Sequence, residues 1–214
     1  SKSKKNVVDP DDIVDQYGAD AVRWFMLSDS PPERDLEWSE AGIEGCWRFV
    51  QRLWRLTGQV SGAEGDDAAL NRKTHQIIAG IGVDIEALAF NKAIAKIYDL
   101  ANAIEKAQPS KSRDTAIKTI ILLSAPMVPH LAEEAWTILG EGLIADAPWP
   151  EVNPELLVED EVTIAIQVRG KLRDTLTVAR GLPQTEVEAL ALASQKVQHA
   201  IDGADIRKII VVPD

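Results

Sequence analysis

The fold is indicated most clearly by residues 113–140, which have the sequence RDTAIKTIILLSAPMVPHLAEEAWTILG. Apolar residues recur at helical spacing on both sides of Pro126 and Pro129, which predicts helices over residues 113–125 and 129–140. Gly140 is expected to end the second helix. Two helices joined by a short, proline-marked turn are typical of a helical bundle.

Further helices are predicted upstream of this pair. Residues 39–59 favour a strong helix with Ser39 as its N-cap. Residues 69–107 form one long helical pattern, in which a break is allowed near Phe90. The segment 11–26 indicates one or two short helices. Together these segments predict a bundle of four or five helices.

The pattern changes beyond a linker that contains Pro148, Pro150 and Pro154. Apolar and polar residues alternate over 162–168, which predicts a half-buried strand. A tight hairpin turn is expected at Gly170–Lys171. The return strand is inferred from three apolar residues, Leu172, Leu176 and Val178.

The end of the chain completes a small α+β domain. Thr185 and Glu188 have the spacing of a capping box that opens a helix. Gly203 is expected to close a second short helix, and residues 206–212 predict a last apolar strand. The fold class is therefore mostly α, a helical bundle followed by a small α+β domain. The expected domains are 1–35, 36–155 and 159–214.

Composition is that of a globular protein, with 45% hydrophobic and 27% charged residues and a net charge of −11. The excess acid is concentrated in residues 131–160, which contain no Lys or Arg. The basic residues are therefore free to line another surface. The single cysteine, Cys46, excludes an internal disulfide and favours a cytoplasmic location. No apolar run is long enough for a membrane span.

The sequence shows no complete active site, because it lacks a Gly-rich phosphate loop, a nucleophile elbow and metal-ligand spacing. His130 is interpreted as a capping or packing residue rather than a catalytic one.

Two basic clusters are candidates for RNA binding. Arg48, Arg52 and Arg55 share one stripe of the helix at 39–59, and guanidinium groups suit phosphate oxygens. The opposite side is expected to carry Trp47, Val50, Leu53 and Trp54. The second cluster is Arg169, Lys171 and Arg173 at the hairpin tip. The alternative for both is a solvated, solubilising charge cluster.

Several motifs resemble the class I aminoacyl-tRNA synthetases. SKSKKN at 1–6 is similar to the end of their Lys-Met-Ser-Lys-Ser motif, and YGADAVR at 17–23 is typical of the segment downstream of that motif. SPPERDLEWS at 30–39 resembles the leucine enzymes specifically. Other segments that resemble the bacterial leucyl-tRNA synthetases come in order along the chain: Glu44–Gly45, Arg48–Phe49, Arg52–Leu56, Phe90–Ala95, Pro126–Glu134, Ala147–Pro150, Val168–Arg173 and Arg207–Pro213.

The resemblance implies a C-terminal fragment of a bacterial leucyl-tRNA synthetase that begins inside the Lys-Met-Ser-Lys-Ser loop. Members of that family join leucine to its tRNA with ATP, through leucyl-adenylate. Lys2 takes the place of the loop lysine that contacts the ATP phosphates. The domain at 1–35 is then the end of the catalytic region, and the two later domains hold the tRNA.

The same resemblance implies partners and cofactors. ATP with Mg²⁺ and leucine belong to the parent enzyme, and the fragment is expected to hold no cofactor and to be inactive alone. Leucine tRNA is the expected partner, with no membrane and no DNA.

Related families fit less well. Valine enzymes add a coiled coil and isoleucine enzymes a cysteine-rich zinc site, and neither is present in this sequence. One departure from the leucine family is Arg169, where asparagine is usual. Two other functions stay open from the residues alone: a free-standing tRNA-binding module, and a helical scaffold that binds protein through its tryptophans and acidic belt.

Overall fold

A computed structural model describes residues 9–28, 34, 37–157, 161–204, 206 and 208–211. The chain divides into two compact units, Ser1–Leu157 and Val158–Asp214. The helices described in the first unit are α1 (Pro10–Tyr17), α2 (Ala19–Ser28), α3 (Glu40–Thr57), α4 (Ala68–Glu86), α5 (Phe90–Lys106), α6 (Lys111–Ser124) and α7 (Pro129–Leu139). The second unit contains β1 (Glu161–Val168), β2 (Lys171–Ala179), α8 (Gln184–Ala193) and α9 (Gln195–Ile201). The predicted class is confirmed: mostly helix, with a small α+β part.

Helix ends follow the capping residues of the sequence. Asp9, Ser39, Asp67 and Ser110 each accept a backbone N–H of the first turn of α1, α3, α4 and α6. These bonds satisfy donors that have no partner within the helix. The long pattern over 69–107 breaks between α4 and α5, where Leu88 has a φ of 55°. The break allowed near Phe90 is therefore confirmed.

The core of the first unit contains an aromatic cluster that joins α2, α3 and α5. The ring centroids of Trp24 and Phe49 are 5.1 Å apart, and those of Phe49 and Tyr98 are 3.9 Å apart. The Trp24 indole N–H donates to the Tyr98 hydroxyl at 3.1 Å. Burial raises the pKa of Tyr98 above 10. Around this cluster the bundle buries the aliphatic faces of α3 to α7.

Arg113, at the start of α6, is a buried cation that closes one end of the bundle. Its Nε donates to the Ile104 carbonyl at 2.9 Å, in the last turn of α5. Its Nη1 and Nη2 donate to the carbonyl and side-chain oxygens of Gln59, just beyond α3. The side chain therefore satisfies acceptors at the C-terminal ends of two helices.

The segment after α7 is attached to the bundle by polar contacts. The carboxylate of Glu133 accepts the backbone N–H groups of Ile144 and Ala145 at 2.9 and 3.2 Å. Further along, the Asn153 N–H donates to Nδ1 of His75 on α4, at 3.1 Å. The acidic segment 131–160 therefore contributes to this attachment.

In the second unit, β1 and β2 form an antiparallel hairpin. Val178, Val187 and Val197 are its buried apolar residues, from β2, α8 and α9. Asp174 on β2 accepts from the Ser194 hydroxyl at 2.6 Å and the Lys196 ammonium at 3.0 Å. The Ser194 bond, followed by that from Lys196, lowers the pKa of Asp174 to about 2.

The structure corrects two predictions for the hairpin and the following helix. The two turn residues are Arg169 and Gly170, because Val168 pairs with Lys171, the first residue of β2. The capping box at Thr185 is wrong. α8 begins at Gln184, after Pro183, whose carbonyl accepts the first helical bonds, and no side chain caps it.

The last strand, predicted over 206–212, is also wrong for the described residues. Ile206 and residues 208–211 lie outside any strand, and most of them are exposed. An apolar run forms a strand only where another strand provides paired backbone groups, and the run itself does not encode that partner. α9 ends at Ile201, with Asp202 in the left-handed conformation before Gly203.

No helix among the described residues has both the length and the apolar character needed to cross a membrane.

Gly80 permits a close crossing of α4 by a side chain of α5. An added Cβ at Gly80 would lie 2.7 Å from Cε of Lys96. Lys96 passes this point to pair with Asp84, a buried carboxylate on the same face of α4. Gly82, two residues further along α4, has nothing within 4 Å of an added Cβ. The two glycines therefore differ only in what a methyl group would displace.

Replacing each glycine by alanine should separate these effects. Gly82→Ala should stabilise the chain by up to about 1 kcal/mol, because alanine favours the helix. Gly80→Ala should be less stable than Gly82→Ala by at least about 1 kcal/mol, because displacing Lys96 leaves the buried Asp84 carboxylate unpaired. Urea unfolding followed by circular dichroism measures both. Equal gains would show that the Lys96 crossing contributes nothing.

Candidate nucleic-acid interface

The first candidate surface is the arginine stripe, Arg48, Arg52 and Arg55 on α3. Ser39 fixes the start of α3, and its buried face, which includes Phe49 and Leu53, orients the helix. Residues at i, i+4 and i+7 then lie along one side of the helix. The structure keeps the three arginines together on this side, but it gives each a different environment.

The guanidinium group of Arg52 is already bound by side chains of α5. Its Nε and Nη2 donate to the two carboxylate oxygens of Glu105 on α5 at 2.7 and 2.8 Å. Nη2 also donates to the Asn102 side chain at 2.7 Å. The guanidinium carbon lies 5.6 Å from the Phe49 ring centroid. A phosphate could bind Arg52 only by competing with this bidentate ion pair to Glu105.

Arg48 and Arg55 are more available. Arg48 pairs with Glu44, one turn earlier, through an exposed contact of 2.6 Å. Such pairs contribute about 0.3–0.5 kcal/mol on helices, so a phosphate can exchange with Glu44 at little cost. Arg55 is exposed in the last turn of α3, and within the described part of the chain no carboxylate forms an ion pair with it.

Two tryptophans of α3, Trp47 and Trp54, are partly exposed. They are predicted on the side opposite the stripe with Val50 and Leu53, and 38% and 39% of their surfaces are exposed. Val50 and Leu53 are buried. The dipeptide Trp-Arg is repeated seven residues apart at 47–48 and 54–55. Seven residues make two helical turns, so both pairs face the same way.

The second candidate surface is the hairpin tip, Arg169, Lys171 and Arg173 in the second unit. Arg169 and Gly170 have φ values of 53° and 75°, as a two-residue type I′ turn requires. Arginine in the left-handed region is unusual, because its Cβ crowds the backbone. All three cations are exposed, and no ion pair joins any of them to another described residue.

A β-bulge lies inside this cluster. The register shifts between the pairs Ile166–Asp174 and Gln167–Leu172, which leaves Arg173 as the extra residue of β2. Cross-strand partners project to the same face, so Lys171 shares the face of half-buried Val168. In an unbroken strand, the alternate residues Lys171 and Arg173 would share a face. The bulge interrupts this alternation, so their spacing does not place them on one face.

Two other sequence predictions concern single residues. Lys2 lies outside the described residues. The His130 side chain is exposed, and its Nδ1 lies 2.8 Å from the Asp20 carboxylate. The ring therefore neither caps α7 nor packs in the core. That His130 has a structural rather than a catalytic role stays a prediction. Among the described residues no group of three or more potential ligands could hold a metal ion.

Comparisons with family models and with known proteins give consistent results. Residues 67–189 match the family model "anticodon-binding domain of tRNA ligase", and residues 1–39 match "tRNA synthetases class I (I, L, M and V)". The whole chain is 68% identical to a leucine–tRNA ligase of Novosphingobium aromaticivorans and 63% identical to that of Zymomonas mobilis. The chain spans about a quarter of these relatives, 25% and 26% of their lengths.

A solved structure extends the likeness to the fold. The LeuRS of Agrobacterium radiobacter, in a ternary complex with tRNA and LeuAMS, superimposes with a TM-score of 0.80 at 29% identity. The match covers 100% of this chain and 29% of that one. The family model alone covers more than half of the chain, and the relatives match it from end to end. The chain therefore belongs to the tRNA ligases that carry this anticodon-binding domain.

Proposed function

We propose that the chain is the tRNA-binding C-terminal part of a leucine–tRNA ligase, which attaches leucine to its tRNA using ATP via leucyl-adenylate. The observation that carries this proposal is the end-to-end similarity to leucine–tRNA ligases, at 68% identity over the whole chain. Because the chain spans a quarter of those relatives, its own part is to position leucine tRNA. The catalytic and editing domains belong to the remainder of the enzyme.

The proposal includes ATP with Mg²⁺ as the cofactor of the whole enzyme and the cytoplasm as its location. Lys2 is proposed to contact the ATP phosphates, where its ammonium stabilises charge that develops on the triphosphate. This assignment rests on the Lys-Met-Ser-Lys-Ser resemblance and on the class I match over residues 1–39. The domain division 1–35, 36–155 and 159–214 remains a proposal, and the separation of the two compact units after Leu157 supports its last boundary.

For RNA binding we propose a division of labour within the arginine stripe. Arg48 and Arg55 supply phosphate contacts, and Trp47 and Trp54 offer aromatic faces beside them. Arg52 also belongs to the proposed tRNA-binding set, but its present partners make it an anchor between α3 and α5 in the free protein. In the second unit the tip cations Arg169, Lys171 and Arg173 have no competing carboxylate among the described residues.

The role of Lys2 can be tested in the full-length natural protein. Lys2→Ala should slow leucyl-adenylate formation by about 10²–10³-fold, the cost of losing one strong contact to the developing charge. Leucine-dependent ATP–pyrophosphate exchange measures this rate. The 214-residue chain alone should show no exchange above a mock preparation. An unchanged rate in the variant would remove Lys2 from the ATP site.

The two arginines Arg52 and Arg55 form a matched pair of variants on one helix. Arg55→Ala should weaken tRNA binding and reduce the slope of log affinity against log salt by about 1, as expected for one lost phosphate contact. Its free energy of unfolding should change by less than about 0.5 kcal/mol. Arg52→Ala should lower the free energy of unfolding by about 1 kcal/mol, because Glu105 and Asn102 lose their donor. Filter binding and urea unfolding report the two effects, and identical behaviour of the variants would contradict the division.

The hairpin tip is tested by the double change Lys171→Ala with Arg173→Ala. tRNA affinity should fall, and the slope of log affinity against log salt should decrease by roughly 1–2. Binding releases fewer counterions from the tRNA when fewer phosphates are contacted. Arg180→Ala, which removes an exposed cation at the other end of β2, is the control and should leave the slope nearly unchanged.

Leucine activation without tRNA should be the same in all these hairpin variants of the full-length protein. A slope unaltered by the double change would mean that the tip cations only solubilise the hairpin. If the unmodified chain does not bind tRNA even at low salt, the alternative of a protein-binding scaffold is favoured instead.

A further inference from the structure

α2 holds the turn between α6 and α7 through two charged side chains of opposite sign. The Asp20 carboxylate accepts the Leu131 N–H at 2.6 Å and the His130 N–H at 3.4 Å. Arg23 donates from Nη2 to the Pro126 carbonyl at 2.9 Å and from Nε to the Met127 carbonyl at 3.2 Å. We call this arrangement the α2 clamp.

The clamp supplies what the turn itself lacks. α7 follows Val128 and begins with Pro129, and it has no side-chain N-cap of its own. Its first free N–H groups therefore depend on Asp20, more than a hundred residues earlier in the chain. Asp20 is only 7% exposed, so this bond is shielded from water. An anion at a helix N-terminus and a cation on turn carbonyls both match the local dipoles.

The clamp also connects two motifs that the sequence analysis noted separately. Asp20 and Arg23 belong to YGADAVR at 17–23, and their acceptors and donors belong to PMVPHL at 126–131. α2 is further fixed by Trp24, which is fully buried against Phe49 of α3. α7 in turn packs against α3, the helix of the arginine stripe. Contacts therefore lead from α2 to the proposed RNA-binding face by two routes.

On its other side, α2 continues directly into the start of the chain. α1 is capped by Asp9 and ends at Tyr17, and the φ of 83° at Gly18 lets α2 begin at the next residue. Along the chain, only α1 therefore separates the helix of the clamp from the segment that contains Lys2.

We infer that Asp20 and Arg23 are positioning residues for the tRNA-dependent step. They fix the α6–α7 turn, and with it the bundle that holds the tRNA, relative to the segment that contains Lys2. The inference rests on the proposed function. A clamp of this kind should be dispensable for leucine activation, which needs no tRNA, and important for transfer of leucine to tRNA, which requires both regions in register.

The test uses the full-length natural protein with Asp20→Asn, which keeps the size of the side chain, and Arg23→Met, which keeps an unbranched apolar stem; both remove the charge. Asp12→Asn, an exposed change on α1, is the matched control. Leucine-dependent ATP–pyrophosphate exchange without tRNA should stay close to the wild-type rate. kcat/KM for aminoacylation should fall by roughly tenfold to 10²-fold, as misplacement far from the chemistry can cause. Arg23→Lys should recover part of the loss, because its ammonium can still donate to one carbonyl.

Thermal unfolding of each variant separates positioning from folding. A parallel fall of exchange and aminoacylation in variants that unfold near the assay temperature would reduce the clamp to a stabilising cap and overturn the inference. So would unchanged aminoacylation in Asp20→Asn and Arg23→Met. If the wild-type protein shows no leucine-dependent exchange, the proposed function itself is wrong. This measurement is made before any variant is compared.

Discussion

The buried guanidinium of Arg113 is the contact on which the geometry of the bundle depends. Arg113 satisfies acceptors at the C-terminal ends of two helices, α3 and α5, at once. Earlier along α3, Arg52 pairs with Glu105 of α5, so the same two helices are joined at a second point. An apolar residue at 113 would leave both helix ends unsatisfied in the interior.

Many of the acidic side chains have the complementary task at helix starts and turns. Asp20 serves α7, Glu133 serves the turn after it, and Asp114 accepts the N–H groups of Ser61 and Gly62 at 2.7–3.1 Å. In the second unit, Asp174 accepts the hydroxyl of Ser194, which in turn caps α9. Part of the net charge of −11 is thus committed to internal bonds. For this reason the net charge is a poor guide to whether the protein can present a cationic face to RNA.

The helices could be predicted from the sequence because their signals are local. Periodicity gave α3 to α7, and Ser39 marked the start of α3 as expected. The errors have two origins. One is a competing local signal: Thr185 has the spacing of a cap, but Pro183 starts the helix earlier. The other is dependence on distant groups. The bulge at Arg173 depends on the register of two strands, which no single strand contains.

The candidate site shows the same limit. The arginine stripe follows from spacing, whereas the commitment of Arg52 to Glu105 depends on which helix packs beside α3. The exposure of Trp47 and Trp54 likewise depends on which helices pack beside α3. Spacing therefore located the face correctly but could not say which of its side chains are already in use.

The bond between Asn153 and His75 fixes the tautomer of an imidazole. Nδ1 can accept the Asn153 N–H only while it carries no proton, so the neutral ring must hold its hydrogen on Nε2. The segment that follows α7 is therefore joined to α4 through Nδ1 of the ring, which leaves Nε2 as the only donor of this imidazole.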